Sequence, residues 1–205
     1  MKIIQPSVEI LTPLDGDYIL KFLERIGRVC YKSEDKITEG SAEKFIRNLI
    51  KSGHESVIEH YSITVKVVCS RAISHQIVRH RIGAYSQESQ RFVNYRDGIT
   101  VVGRHRLAKE YWPGVFWVAA MEHAEQYYND LIRTGVPPEV ARDVLPNAMA
   151  TKLVITYNLR QWRHFLKQRT SPAADPQIRV IAEMILKEFK EQVPVIFEDI
   201  GDGVA

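Results

Sequence analysis

The stretch Tyr61-Ser-Ile-Thr-Val-Lys-Val-Val-Cys69 decides the fold class. Tyr61, Ile63, Val65, Val67 and Cys69 fall on one side, and Ser62, Thr64 and Lys66 on the other. A period of two with one apolar side is a strand with one buried face. Lys152 to Tyr157 alternates in the same way. Ahead of these, Ile3 to Leu11 reads as another strand. Asp17 to Val29 reads as a helix, with Ile19, Leu20, Leu23, Ile26 and Val29 on one side. Ser41 to Ser52 reads as a second helix, with Ser41 as N-cap, Gly53 just past its end, and Ala42, Phe45, Ile46, Leu49 and Ile50 at helical spacing. Ser70 is expected to cap a helix running to about Arg81, and Ile82 to Tyr95, without a period, to be a loop or irregular strand.

Val115 to Thr134 predicts a long helix with Trp117, Ala120, Met121, Ala124, Tyr128 and Leu131 on a stripe, closed by Gly135. Pro137 and Pro138 open a short helix that Pro146 ends. Asn158 caps a helix carrying Trp162, Phe165, Leu166 and Arg169 on one face. Asp175-Pro176 begins the last helix, with Ile178, Ile181, Ala182, Ile185 and Phe189 on its apolar face. Mixed strands and long helices predict an α+β fold, an antiparallel-containing sheet packed by helices.

The 205 residues contain no repeat, low-complexity segment or Gly/Ser linker, so one domain spanning 1–205 is expected. An apolar content of 45% excludes a disordered chain, which lacks residues to bury. The longest apolar run, Val115 to Met121, is far short of the ~18 residues a membrane span needs. The opening residues turn polar too early for a secretory signal, and two cysteines make no disulfide scaffold. A cytoplasmic protein with reduced thiols, and no membrane partner, is expected. The net charge of +3 is mild for a polynucleotide binder, although arginine is locally dense.

His54 and His60 resemble a metal motif but stand six apart, off the i,i+4 spacing of one helix face, so no metal is expected. No glycine-rich dinucleotide or phosphate loop is present. Cys30 and Cys69 read as structural thiols, since nothing nearby activates them. The richest segment is Arg79-His-Arg-Ile-Gly-Ala-Tyr-Ser-Gln-Glu-Ser-Gln-Arg91. Gln76, Arg79 and His80 are expected on one helix face; Arg81, Ser86, Gln87, Glu88, Ser89 and Arg91 follow in a loop. Hydroxyl, amide and guanidinium donors so grouped suit phosphate oxygens and a heterocycle edge. Arg104-His105-Arg106 lacks such a continuation and reads as a solvated basic run.

Arg79-His80-Arg81, seven residues, then Ser89 resembles the signature of the flavin-dependent thymidylate synthase family. Gly-His-Glu-Ser-x-x-Glu-His at 53–60, Pro-x-x-x-Ala-Arg-x-x-Leu-Pro at 137–146 and Asn158-Leu-Arg-x-Trp-x-His164-Phe-x-x-x-Arg169 resemble its other motifs, in matching order over roughly residues 1–200. The resemblance implies methylation of carbon 5 of dUMP to give dTMP. It implies methylenetetrahydrofolate as carbon donor, tightly bound FAD as hydride source, NADPH as reductant, and a homotetramer with shared active sites. By position, His54, Ser56, Arg79, His80, Arg81, Gln87, Asn158, Leu159, Arg160 and His164 are implied for FAD. Gln76, Ile77, Val78, Arg79, Gln87, Glu88, Ser89, Gln90, Arg91, Arg142 and Arg169 are implied for dUMP, with Arg169 as the catalytic group. Arginine stays charged, so Arg169 is read as stabilising negative charge on the uracil ring rather than as a base. The family does without the cysteine nucleophile of other thymidylate synthases, in keeping with two plain thiols.

Several positions depart from the family pattern. Ser86-Gln87 stands for Asn-Glu, Phe92 for Tyr, Cys30 for a flavin-contacting Ser, and Ala173 for a His found in some members. Two other functions compete: a basic module contacting RNA or DNA through Arg79–Arg91 and the 160–169 helix, and a flavin-binding relative without methyltransferase activity. The mild net charge weighs against the first; Ser89, Arg91 and Arg169 weigh against the second.

Overall fold

The two alternating stretches lie side by side at the centre of one sheet. In this computed structural model, which describes residues 1–103 and 114–201, strand β3 (Ser62–Ser70) pairs antiparallel with β6 (Ala150–Asn158), from Ser62 opposite Asn158 to Ser70 opposite Ala150. Strand β2 (Ser7–Ile10) flanks β3 and β4 (Ala84–Gln87) flanks β6, giving the antiparallel order β2-β3-β6-β4. Ile63, Val65, Val67 and Cys69 of β3, and Leu153, Ile155 and Tyr157 of β6, point into the core. The opposite face is wetter: Thr64 and Thr156 share a 2.9 Å hydrogen bond, and Lys66 pairs with Glu9.

Helices α6 (Leu159–Arg169) and α7 (Pro176–Gln192) cover the apolar face. Asn158 and Asp175 cap them as expected, each accepting from a first-turn amide. Trp162, Phe165, Leu166, Ile178, Ile181, Ile185 and Phe189 fill the layer between helix and sheet. The Trp162 indole donates to the Ile63 carbonyl at 3.0 Å, which ties α6 to β3. Helices α1 (Gly16–Val29) and α2 (Ser41–Lys51) close one end of the core, together with short helix α8 (Pro194–Phe197).

The expected strand 3–11 is two strands in two sheets. Pro6 separates β2 from β1 (Lys2–Ile4), because proline has no amide proton for a continuous ladder. β1 pairs parallel with β5 (Thr100–Val102), a strand too short to show a period. Around this pair sits a second small core of Ile99, Val101, Met121 and Met149. Helix α4 (Gly114–Arg133) packs there but fully buries only Met121 and Tyr128 of its expected stripe. Val115 and Phe116 are 81% and 78% exposed.

Three local readings shift. Ser41 is the first residue of α2, not its cap; Gly40 takes that place at φ +75°, and the Ser41 hydroxyl instead binds Glu24 at 2.8 Å. Glu24 is buried and also paired with Arg28 at 2.7 Å, so the buried side of α1 turns from Val29, which is exposed, toward Ile19, Leu23 and Glu24. Helix α3 (Arg71–Ile77) stops short of Arg81, because the chain must turn at Val78 to enter β4. Arg79 and His80 therefore leave the helix face on which Gln76 stands. The short helix after Pro137 is α5 (Pro138–Ala141), continued as a 3-10 turn over Arg142–Val144. Arg104-His105-Arg106 lies outside the described residues.

Candidate active site

The implied site residues gather at three places around β4 and α6. At the C-terminal end of α6, Arg169 Nε donates to His80 Nε2 at 3.0 Å. His80 is 7% exposed and lies edge-on to Phe165 with ring centroids 4.9 Å apart. Burial, then the positive charge of Arg169 and the neighbouring His164, pushes its pKa down to about 4. Its carbonyl accepts from the Tyr85 hydroxyl, which is also hydrogen-bonded to the Tyr157 hydroxyl. Burial raises the pKa of both tyrosines, so the pair stays protonated. Gly83 makes the approach to Tyr157 feasible: a Cβ there would lie 2.2 Å from the Tyr157 ring. Gln76 is nearby in sequence but bonds Asp175 at 3.3 Å.

At the N-terminal end of α6, Asn158, Arg160, Gln161 and His164 line a cavity of about 500 Å³ together with Ile82. Asn158 spends its side-chain oxygen on the Gln161 amide at 2.8 Å. Arg160 is held by Glu59 at 2.5 Å. His54 and Ser56 stand exposed in the preceding segment. The Leu159 side chain is in the core and its amide donates to the Tyr61 carbonyl. Any ligand contact of Leu159 would run through other main-chain atoms. The same holds for Ile77, which is buried, and Val78 packs against the core.

The third group lies at the far end of β4, about 10 Å along the strand by strand rise. Gln87 donates to Ser74 at 2.9 Å and to Thr151 at 3.3 Å. Ser74 already donates to the Arg71 carbonyl, so its hydroxyl must accept from Gln87. An amide donor suits that arrangement. Glu88 accepts from Tyr95 at 2.9 Å, and its carbonyl accepts from Arg71. Ser89 accepts from the Arg91 amide, while the Arg91 side chain pairs with Glu139 of α5 at 2.8 Å. Gln90 is half-buried beside them. Arg79, Arg81 and Arg142 are exposed, with no ion pair or hydrogen bond to their guanidinium groups among the described residues.

The thiols stand apart. Burial pushes Cys69 up to about 12, so it holds no thiolate at neutral pH. Cys30 is exposed at the end of α1, not a core residue. Among the described residues no group of three His, Cys, Asp or Glu is placed to hold a metal.

Sequence reading missed Tyr85, Tyr157, Tyr95 and Arg71 as supports of the site. One signal was present: Tyr157 falls on the apolar face of a strand, and a buried tyrosine hydroxyl needs a partner. Nothing local names Tyr85 as that partner, 72 residues away.

The family profile described as "Thymidylate synthase complementing protein" matches residues 19–195. A flavin-dependent thymidylate synthase of Geobacter sulfurreducens is 41% identical over 185 residues, covering 86% of this chain and 79% of that protein. One of Mycobacteroides abscessus is 36% identical, covering 95% and 84%. Among solved structures, the UMP/dUMP methylase PolB of Streptomyces cacaoi, bound with 5-Br dUMP, superimposes with a TM-score of 0.82 at 24% identity, covering 97% of this chain and 96% of that one. That last likeness is one of fold.

Proposed function

The chain belongs to the flavin-dependent thymidylate synthase family, and from that premise we propose that it methylates carbon 5 of dUMP with methylenetetrahydrofolate as carbon donor, a tightly bound FAD and NADPH as reductant. The observation that carries this reading is the Arg169–His80 contact. It joins the end of α6 to the Arg79-His80-Arg81 segment across 89 residues of chain.

The residues present fit a flavin dinucleotide. Arg79 and Arg81 offer exposed guanidinium groups, without a partner among the described residues, of the kind that recognise a diphosphate. The cavity beside His164 and Asn158 offers imidazole and amide donors, with Arg160 and Lys167 on its lining beside Glu55 and Glu59, and His54 and Ser56 are exposed in the 53–60 segment. When bound, the reduced flavin supplies the hydride. We assign Gln76, Glu88, Ser89, Gln90, Arg91 and Arg142 to dUMP, with Ile77 and Val78 contributing main chain only. Gln87 acts from behind, by holding the end of β4 to Ser74 and Thr151.

Arg169 stabilises the negative charge that develops on the uracil ring as carbon 5 becomes nucleophilic. A guanidinium cannot take a proton, so its contribution is electrostatic and directional. No thiolate is needed, in agreement with the high pKa of Cys69. The site is completed in a homotetramer. The three groups are separate within one chain, and α4 leaves Val115, Phe116 and Tyr127 exposed, as Phe92 is beside Arg91. We place the enzyme in the cytoplasm; among the described residues no helix is long and apolar enough to cross a membrane.

The test is the absorbance of the purified protein, with light scattering for its mass. A flavin band bleached by NADPH and restored anaerobically only when dUMP and the folate are both added is the expected result. A colourless protein, restoration without dUMP, or a fully active monomer overturns the corresponding part.

A further inference from the structure

We propose that His80 is a positioning residue for Arg169: its buried imidazole accepts the arginine Nε proton and fixes the guanidinium plane, which leaves the Nη groups for the ligand. The proposal deepens the reading of Arg169 as the group that meets the uracil ring, and rests on it.

A guanidinium only donates hydrogen bonds and remains charged. With Arg169 Nε 3.0 Å from His80 Nε2, that ring nitrogen must present a lone pair. A charged imidazolium cannot, so the ring is neutral and its proton sits on Nδ1. The surroundings favour that state. His80 is buried, Phe165 packs edge-on against it, and His164 lies with ring centroids 5.9 Å away. The groups that face it are Arg169, His164 and Phe165 of α6 and the Tyr85 hydroxyl of β4 on its carbonyl. No carboxylate among the described residues is hydrogen-bonded to the ring. The low pKa of His80 follows from the same packing.

The backbone of His80 is held as firmly as its ring. Tyr157 donates to Tyr85, and Tyr85 donates to the His80 carbonyl, so strands β6 and β4 set where the imidazole stands. Arg169 is the last residue of α6, where a long side chain otherwise samples many rotamers. One fixed bond at Nε orients the planar fork, and the four N–H groups on Nη1 and Nη2 remain. Protonating His80 would set two cations at hydrogen-bond distance and expel the arginine.

The test compares flavin-loaded wild type, His80→Gln and His80→Leu, with Arg169→Ala alongside. Glutamine can accept from Arg169 but does not titrate; leucine cannot accept. Single-turnover conversion of labelled dUMP by the pre-reduced enzymes is read across pH at saturating dUMP. His80→Leu should fall on the order of 10²-fold, and His80→Gln should recover at least about tenfold of that loss. The acid limb of the wild-type profile should vanish in His80→Gln. His80→Leu within about threefold of wild type, or both His80 variants equally impaired with flavin retained, overturns the proposal. Arg169→Ala near wild-type rate removes the premise instead. Arg169→Ala impaired beside an unimpaired His80→Leu removes only the positioning role. A second measurement needs no activity: the ¹⁵N shifts of histidine-labelled protein, with His80 assigned by its loss in His80→Gln. A neutral ring protonated on Nδ1 at pH 7 is expected; the Nε2 tautomer or a charged ring overturns the proposal even if His80→Leu fails to load flavin.

Discussion

Arg163 and Arg169 lie six positions apart on α6, and their surroundings are opposite. Arg163 is 1% exposed and saturated with acceptors. Asp199 takes it bidentately at 2.6 and 2.7 Å, Glu55 accepts at 3.1 Å, and the Ile196 carbonyl accepts as well. Arg169 is half-buried and its only hydrogen-bond partner among the described residues is a neutral imidazole. One guanidinium is neutralised and fastens the segment around α8 to the core. The other is oriented and left with its charge uncompensated. Of these two arginines, the one proposed to meet the ligand is held by a neutral acceptor and the one that serves the fold by carboxylates.

Truncating each arginine tests that contrast most strongly. Arg163→Ala removes one side of a buried pair and should cost about 3 kcal/mol or more of stability. Thermal or denaturant unfolding measures it, and a loss under about 1 kcal/mol would place Arg163 among surface pairs. Arg169→Ala should leave folding, flavin binding and reduction by NADPH nearly intact while lowering single-turnover dUMP conversion by about 10²–10³-fold. If Arg169→Ala unfolds the protein and Arg163→Ala spares it, the contrast is inverted.

Acid titration separates the partners. His80 has a folded-state pKa lowered from 6.5 to about 4, so the unfolded chain binds its proton first as pH falls. Stability is therefore full above about pH 6.5 and declines toward pH 4, by about 3 kcal/mol at most. Asp199 is held below its usual 3.8: burial opposes this, but the bond and charge of Arg163 prevail. Its contribution persists above pH 3.8 and is lost only as pH falls further. Unfolding curves of wild type and His80→Gln between pH 7 and 4 check this, and equal slopes would show that His80 does not titrate with folding. The smallest effect expected is that of Tyr157→Phe. It deletes the donor to Tyr85 and should cost about 1 kcal/mol. An unchanged melting temperature would show that the tyrosine pair does not support His80.

How much of this is legible without a structure depends on the range of the interaction. The strands at 61–69 and 152–157 show themselves because alternation is imposed by each strand's own pleat. The caps Asn158 and Asp175 show themselves because a cap bonds amides two or three residues away. The early end of α3 does not, because Ile77 and His80 carbonyls are claimed by Tyr85 from a later strand. The burial of Glu24 does not show itself either, because it depends on Ser41 of the next helix as well as on Arg28.

The amino-acid sequence by itself determined the α+β class, the apolar faces of β3, β6, α6 and α7, and the family motifs from Arg79 to Arg169. Each of these is written in windows of a few residues, at the periods of the backbone. Only the tertiary structure decided that Arg163 meets Asp199, that Arg169 meets His80, and that Leu159 and Ile77 turn inward among the motif residues. Two arginines on one helix are chemically identical in sequence. What distinguishes them is which distant segment docks against each, and that is settled by packing the helix onto the sheet.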